Sequence, residues 1–467
     1  MRGGYARVTP DHVEALRAIC GVERVLVDEE SLWIYGRDET EDLRFPPEVV
    51  VKPGSTPEVQ EILRLATRER LPVTPRGAGT GLSGGALPLF GGICLSIERL
   101  NRILEIDERN LMAVVEPGVI TGVLHQEVEK LGLFYPPDPA SRGSCTIGGN
   151  IAENAGGPRA VKYGVTEDWV RGLEAVLPNG DLVSCGGKRL KDVTGYNLVK
   201  LLIGSEGTLA VVTQATLKLI PRPLHRRTLF VPYPTIESAA ETVPAIFRAK
   251  VIPCAIEFLE RAALETSDRM LGTSTARGDA EAFLLIMVDG NDEALIQREV
   301  EAIGEVCLES GALDVYIPEG ETKQEEIWRV RRATGEAVKK ISTYREEDTV
   351  VPRAEIPALI RGVRQVVARH GVRAICYGHA GDGNIHVNVL KMDMPPEVWR
   401  EVSPRVSKEI FEVAIGLGGT ISGEHGIGCA QKRNLPLAFP PPMIDLHRRL
   451  KEAFDPHFIL NPGKIFD

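Results

Sequence analysis

Residues Leu71–Pro88 read LPVTPRGAGTGLSGGALP, and what this stretch can become decides the fold. Gly79–Gly84 spells G-x-G-x-x-G, and Glu98 stands about where the ribose-binding acid of a dinucleotide fold would be. That fold needs a helix directly after the glycines, and Pro88, Gly91 and Gly92 leave no room for one before the next strand. The stretch therefore reads as a loop whose backbone N–H groups gather on an anion, glycine removing the steric cost of positive φ. Five glycines, 77, 79, 81, 84 and 85, are a large entropic cost for a plain surface turn. A loop that holds a diphosphate is the better reading.

Two further segments have the same character. Tyr135–Gly164 reads YPPDPASRGSCTIGGNIAENAGGPRAVKYG, and Ser141, Ser144, Thr146, Asn150 and Asn154 offer neutral donors and acceptors suited to a heteroaromatic ring. Asp192–Thr213 reads DVTGYNLVKLLIGSEGTLAVVT and places Gly204–Thr208 at a turn into a strand. Taken singly, this third segment is equally well an ordinary turn.

The 467 residues amount to two to four domains' worth of chain at about 100–200 residues per domain. The net charge of -10 argues against nucleic acid as a partner. The longest strongly apolar run, Phe283–Val288, is far short of the roughly 20 residues a membrane-crossing helix needs. Charges through Met1–Cys20 leave no signal-peptide core. A cytoplasmic protein without a transmembrane segment is expected. Its eight cysteines are scattered with no C-x-x-C spacing, which fits reduced thiols and weighs against an iron–sulfur cluster within the chain.

Strands are expected at Leu111–Val115, Leu173–Leu177, Leu209–Thr213 and Ala374–Tyr377, with a hairpin turn at Asn179-Gly180. Helical periodicity marks Pro57–Arg70, entered through Thr56 as cap, and also Val123–Leu131, Lys323–Lys340 and Glu397–Leu417. A cluster of prolines sets a domain junction near Pro221–Leu224.

Ala374–Leu390 reads AICYGHAGDGNIHVNVL. Alternation puts Ile385, Val387 and Val389 on one face of a strand and His386 and Asn388 on the other, while a Gly-Asp-Gly turn folds His379 back beside them. Ser422–Gly428, SGEHGIG, presents Glu424 and His425 between glycines. Two imidazoles and a carboxylate make an open site for Zn²⁺ or Mn²⁺, with a further histidine to act as base. A lone histidine is more often a satisfied core residue, but three of the chain's nine fall in these two glycine-flanked motifs.

The three glycine-rich segments, in this order, resemble the FAD-binding domain of the vanillyl-alcohol oxidase / p-cresol methylhydroxylase superfamily. G-H-x-G-D-G-N-x-H, S-G-E-H-G-I-G and the closing Asn461-Pro462-Gly463-Lys464 resemble its FAD-linked 2-hydroxyacid dehydrogenases. This group includes the glycolate oxidase flavin subunit, FAD-linked D-lactate dehydrogenase and D-2-hydroxyglutarate dehydrogenase.

The resemblance implies that Arg76, Gly77, Ala78, Gly79, Thr80, Gly81 and Gly84 wrap the FAD diphosphate. Pro139, Ser141, Thr146, Gly149, Asn150, Asn154 and Gly157 would line the flavin, with Gly204, Glu206, Gly207, Val212 and Asn461 completing the site. Thr80 stands where covalently flavinylated members carry histidine, so FAD should be held non-covalently. His379, His386 and Glu424 would hold the metal, with Asn388 or Asn384 close by and His425 as general base. Arg331, with Arg329 and Arg332 as rivals, would clamp the substrate carboxylate, because a guanidinium makes a two-point contact that lysine cannot.

Where the 2-hydroxyglutarate enzymes carry a lysine for the distal carboxylate this chain has Glu346, and Glu347–Arg353 is closer to the glycolate oxidase subunit. The expected reaction is oxidation of a small D-2-hydroxy acid, glycolate or D-lactate, to the 2-oxo acid. Rival readings are a flavin subunit active only with an iron–sulfur partner, which could dock it at the inner membrane, and a metal-dependent hydrolase acting on a nucleotide. A non-redox alkyl-glycerone-phosphate synthase is disfavoured by the His379/His386/Glu424 set. A homodimer is compatible with the sequence.

The expected architecture is α+β: a two-subdomain FAD-binding domain plus a substrate domain with an antiparallel sheet covered by helices. A helical arm spans residues 1–45, the FAD domain 46–221, the substrate domain 222–419, and a segment returning to the FAD domain 420–467.

Overall fold

The computed structural model describes residues 4–276 and 278–466, so the first three residues of the expected arm lie outside the described ones. They form two compact units: one of residues 4–156, 165–222 and 424–466, the other of 157–164 and 223–423.

The first unit holds two sheets. In one, the strands run in the order Val25–Leu26, Val49–Val51, Ile93–Ser96, Val73–Arg76, the last three mutually parallel. Helix Thr56–Glu69 makes the crossover from Val49–Val51 to the parallel strand Val73–Arg76, two places away in the sheet, burying Val59, Ile62, Leu63, Leu65 and Ala66. Its cap is Ser55, one residue earlier than the sequence suggested: Ser55 is extended and its side chain accepts the Glu58 N–H. The glycine-rich stretch runs from Val73–Arg76 to Ile93–Ser96 as turns and bends with no helix, as expected of a loop rather than a dinucleotide fold. Helix Pro10–Cys20 adds Leu16 and Cys20 to this sheet's core, so the N-terminal arm is part of the unit. The tail joins it too, through a parallel bridge between Val73 and Leu460.

The second sheet is antiparallel, in the order Ile103–Asp107, Met112–Val115, Val211–Lys218, Val170–Val176, Leu182–Gly186. The expected hairpin joins its last two strands, with Gly180 at φ +83° and Asn179 Oδ1 accepting the Asp181 N–H.

The second unit is built on a six-stranded antiparallel sheet. Its order is His225–Tyr233, Ala282–Gly290, Ala255–Glu260, Arg373–His379, Asn384–Leu390, Tyr344–Val350. Strict alternation divides its faces. Leu284, Ile286, Phe258, Ile385, Val387 and Val389 join one core with helices Ile236–Arg248, Glu293–Glu309, Ile356–His370 and Pro396–Gly416. The opposite face meets Arg261–Leu271, Gly320–Arg332 and Thr334–Lys339. The single helix expected over Lys323–Lys340 is thus two, broken at Ala333. Residues 157–164, which the sequence placed in the FAD domain, belong here because Lys162 Nζ and Tyr163 Oη both bind the Asp289 carboxylate.

Strands Ala255–Glu260 and Arg373–His379 pair only at Phe258↔Gly378 and Leu259↔Tyr377. Beyond that, the Glu260 carboxylate accepts the Cys376 N–H in place of a backbone carbonyl. Burial pushes the Glu260 carboxyl up to about 6, against the Cys376 hydrogen bond and the Arg364 charge, which pull it down. The folded chain therefore holds a proton there that the unfolded chain has released, and stability falls as pH rises from about 4.5 to about 6. Glu260→Gln should remove this dependence, so denaturant titrations should show the variant gaining on wild type between pH 4.5 and 7.

Candidate active site

In the first unit, loops far apart in sequence converge. A cavity of about 480 Å³ is lined by Arg76, Gly77 and Ala78 from the glycine-rich loop, by Gly118–Ile120, and by Thr146. At Gly77 a Cβ would lie 2.5 Å from Thr146 Oγ1, so the two loops can meet only without a side chain there. Gly81 faces open space. This open cradle of backbone and small side chains fits a diphosphate and its attached rings.

The other residues carried over for the flavin divide by what they touch. Thr146 caps helix Ile147–Glu153 through the Gly149 N–H, and Asn150 Nδ2 donates to Thr121 Oγ1 at 2.8 Å. Asn154, at φ 55°, accepts the Glu167 N–H. The Ser141 carbonyl accepts the Ser144 and Cys145 N–H groups in the turn after Pro139. Gly204 and Gly207 hold the positive-φ corners of the turn before Val212. Gly157 lies in the second unit.

Glu206 and Asn461 are engaged within the protein. The Glu206 carboxylate accepts the N–H groups of Ile427 at 2.7 Å and Gly428 at 2.6 Å. Asn461 Nδ2 donates to the carbonyls of Gly85 and Glu206, and Lys464 Nζ donates to Asn461 Oδ1. Ser83 O accepts the N–H groups of Cys429 and Ala430. The GSEGT turn thus fixes the far end of the loop that carries Glu424 and His425. A Cβ at Gly156 would lie 2.8 Å from Glu424 Oε2.

In the second unit, one face of the sheet is a polar wall. The Tyr377↔His386 register and the tight turn bring the His379 and His386 rings to 5.3 Å, edge to face, both imidazoles being buried. Asp348 pairs with His386 at 3.6 Å between Nδ1 and Oδ1, and Glu346 at 3.8 Å. Asp348 also takes the Asn384 amide at 2.7 Å, the Ser422 hydroxyl at 3.0 Å and the N–H of Gly423, the residue before Glu424, at 2.7 Å. Asn388 is 1% exposed, and neither its amide oxygen nor its nitrogen has a protein hydrogen-bond partner. A polar group buried in this way is open to a water or a ligand.

Three arginines were candidates for the carboxylate clamp, and only Arg331 is buried. It shares a helical face with Trp328, whose Nε1 donates to Thr228 Oγ1, while Arg332 pairs with Glu325 and Arg329 is exposed. Arg331 lies over the Tyr377 ring and 2.5 Å from Glu257 Oε2, and Glu257 Oε1 is 2.7 Å from His379 Nδ1. The sequence reading missed Glu257. Its signal was a lone acid in the apolar run Ala255–Leu259, where only a paired charge can be buried. Burial alone would raise this carboxyl, but the Arg331 charge first and then the His379 hydrogen bond outweigh it and hold it below the usual range. Removing one partner of such a pair costs about 3–5 kcal/mol.

Comparison with known proteins places the chain. Residues 47–186 match the FAD binding domain and residues 222–465 the C-terminal domain of FAD linked oxidases. The chain belongs to the FAD-linked oxidase family, and is an FAD-linked oxidoreductase. It is 42% identical to the glycolate oxidase subunit GlcD of Bacillus subtilis (strain 168), over 98% of this chain and 97% of that one. It is 38% identical to the D-lactate dehydrogenase of Anaerostipes hadrus, over 99% and 98%. The fold matches that of p-cresol methylhydroxylase with substrate bound at a TM-score of 0.82 and 18% identity, over 97% and 96%. A nucleotide hydrolase is thereby set aside.

The open space at Gly81 gives a direct test of the cradle. Gly81→Ala should leave the melting temperature of the flavin-free protein unchanged and lower the flavin retained through purification. Equal flavin content in variant and wild type would place the diphosphate elsewhere.

Proposed function

We propose that the chain oxidises a small 2-hydroxy monocarboxylate, glycolate or D-lactate, to its 2-oxo acid, with non-covalently held FAD as the oxidant. The observation that carries this reading is the polar wall: a buried guanidinium, two imidazoles and an amide with no protein partner on one sheet face. The relatives' names, a glycolate oxidase subunit and a D-lactate dehydrogenase, support the same substrate class.

Arg331 would receive the substrate carboxylate, its planar fork fixing the substrate plane. Asn388 would hydrogen-bond the 2-hydroxyl or the carboxylate. His379 and His386 fit a divalent cation, because Glu257 on His379 Nδ1 leaves Nε2 as the nitrogen with a lone pair, and Glu424 would add a carboxylate. Bound there, Zn²⁺ or Mn²⁺ would supply a Lewis acid for the hydroxyl. His425 would take the hydroxyl proton on a ring nitrogen as the Cα–H bond gives up its electron pair and C–O becomes C=O. FAD supplies the hydride acceptor. Glu346, beside His386 and Tyr377, puts negative charge on the wall and would repel a second substrate carboxylate.

The electrons must leave the reduced flavin, and the chain's cysteines lack cluster spacing. An iron–sulfur partner subunit would complete that path. Among the described residues no helix is long and apolar enough to cross a membrane.

Anaerobic addition of glycolate or D-lactate should bleach the flavin absorbance, and failure of every small 2-hydroxy acid to do so would remove this function. His425→Ala should stay yellow while the rate of bleaching falls about 10²–10⁴-fold. Glu346→Lys should improve kcat/KM for D-2-hydroxyglutarate relative to D-lactate, read in the same assay.

A further inference from the structure

We infer that Glu257 is a positioning residue that joins the metal site to the substrate clamp, so that one carboxylate sets both the His379 ring and the Arg331 guanidinium. The inference rests on the proposed function and deepens it. Glu257 sits mid-strand between Ile256 and Phe258, both packed into the core on the opposite face, and is itself 0% exposed. Its two oxygens are divided: Oε1 to His379 Nδ1 at 2.7 Å, Oε2 to Arg331 at 2.5 Å. A carboxylate at that nitrogen makes His379 Nδ1 the protonated position and raises the basicity of Nε2, the effect by which second-layer acids strengthen histidine ligation. The other oxygen aligns Arg331 over Tyr377 from one side of the guanidinium. That leaves the rest of the five-donor fork for a substrate carboxylate.

A strand acid here could simply neutralise a buried arginine. The divided geometry argues for more: neutralising Arg331 needs one oxygen, and the second is spent on a ring whose partner histidine lies 5.3 Å away on the next strand. Because the backbone on both sides is locked by the sheet, a shift of the carboxylate would move ring and guanidinium together.

The test uses the FAD-loaded protein. Glu257→Gln keeps the side-chain shape and removes the charge. The metal-stripped flavoprotein, titrated with Mn²⁺ and separately with Zn²⁺, should bind each about 10–100-fold more weakly than wild type. KM for D-lactate should rise in the same variant, with flavin content unchanged. Arg331→Met should raise KM while leaving metal affinity at the wild-type value. The double variant Glu257→Gln/Arg331→Met leaves no unpaired buried charge, so it serves if the single variant fails to fold. It should show the weakened metal binding with a KM no higher than that of Arg331→Met alone.

Wild-type metal affinity in either Glu257 variant would overturn the inference while leaving the proposed function standing. Wild type that binds neither metal, or oxidises no 2-hydroxy acid, would overturn both.

Discussion

The strict two-residue period of the six-stranded sheet is the constraint on which the candidate site depends. Each strand must give alternate side chains to opposite faces, and here one face is spent mainly on an apolar core under four helices, where the buried Glu347 carboxylate takes the Ser407 hydroxyl from one of them. The residues of the polar wall are thereby gathered on the other face, and their neighbours are fixed by register rather than by flexible side chains. Tyr377 faces His386 across one pair of strands, and Asp348 faces His386 across the next. A one-residue slip of Asn384–Leu390 would bury Val387 in the wall and put His386 in the oil, which makes the register expensive to lose.

Burial then does the electrostatic work. In so dry a setting, charges persist only in mutual compensation, and the wall shows this repeatedly: Glu257 between Arg331 and His379, Asp348 among Asn384, Ser422, Gly423 and His386. Each group is oriented by several others, so rotamer freedom is removed before any substrate arrives. Asn388, by contrast, is left with its hydrogen-bonding capacity unspent by the protein.

Local pattern made much of this legible. The alternation in NIHVNVL put His386 and Asn388 on the right face, the Gly-Asp-Gly turn returned His379 beside them, and prolines and glycines ruled out a helix after the first loop. The cap of Thr56–Glu69 moved by one residue, to Ser55, and the helix expected over Lys323–Lys340 is two, broken at Ala333. What could not be read were contacts between distant segments. Glu257 lies 122 residues from His379 and looks, in sequence, like an acid out of place. Glu206 sits in a motif associated with the cofactor, yet its carboxylate holds two backbone N–H groups 221 and 222 residues away. Nothing local distinguishes those roles, since they come from how sheets and loops close on each other.

The route of the chain has a consequence for how the protein is made. The peptide passes between the two units four times, at 156–157, 164–165, 222–223 and 423–424. No single cut can release either unit as an intact piece, and neither is encoded by one continuous stretch. The parallel bridge of Val73 to Leu460, and buried Lys451 donating to Thr208 O, join segments far apart in the order of synthesis. The earlier-synthesised portion of the first unit therefore gains these contacts only after the segment that begins at Glu424 has been made.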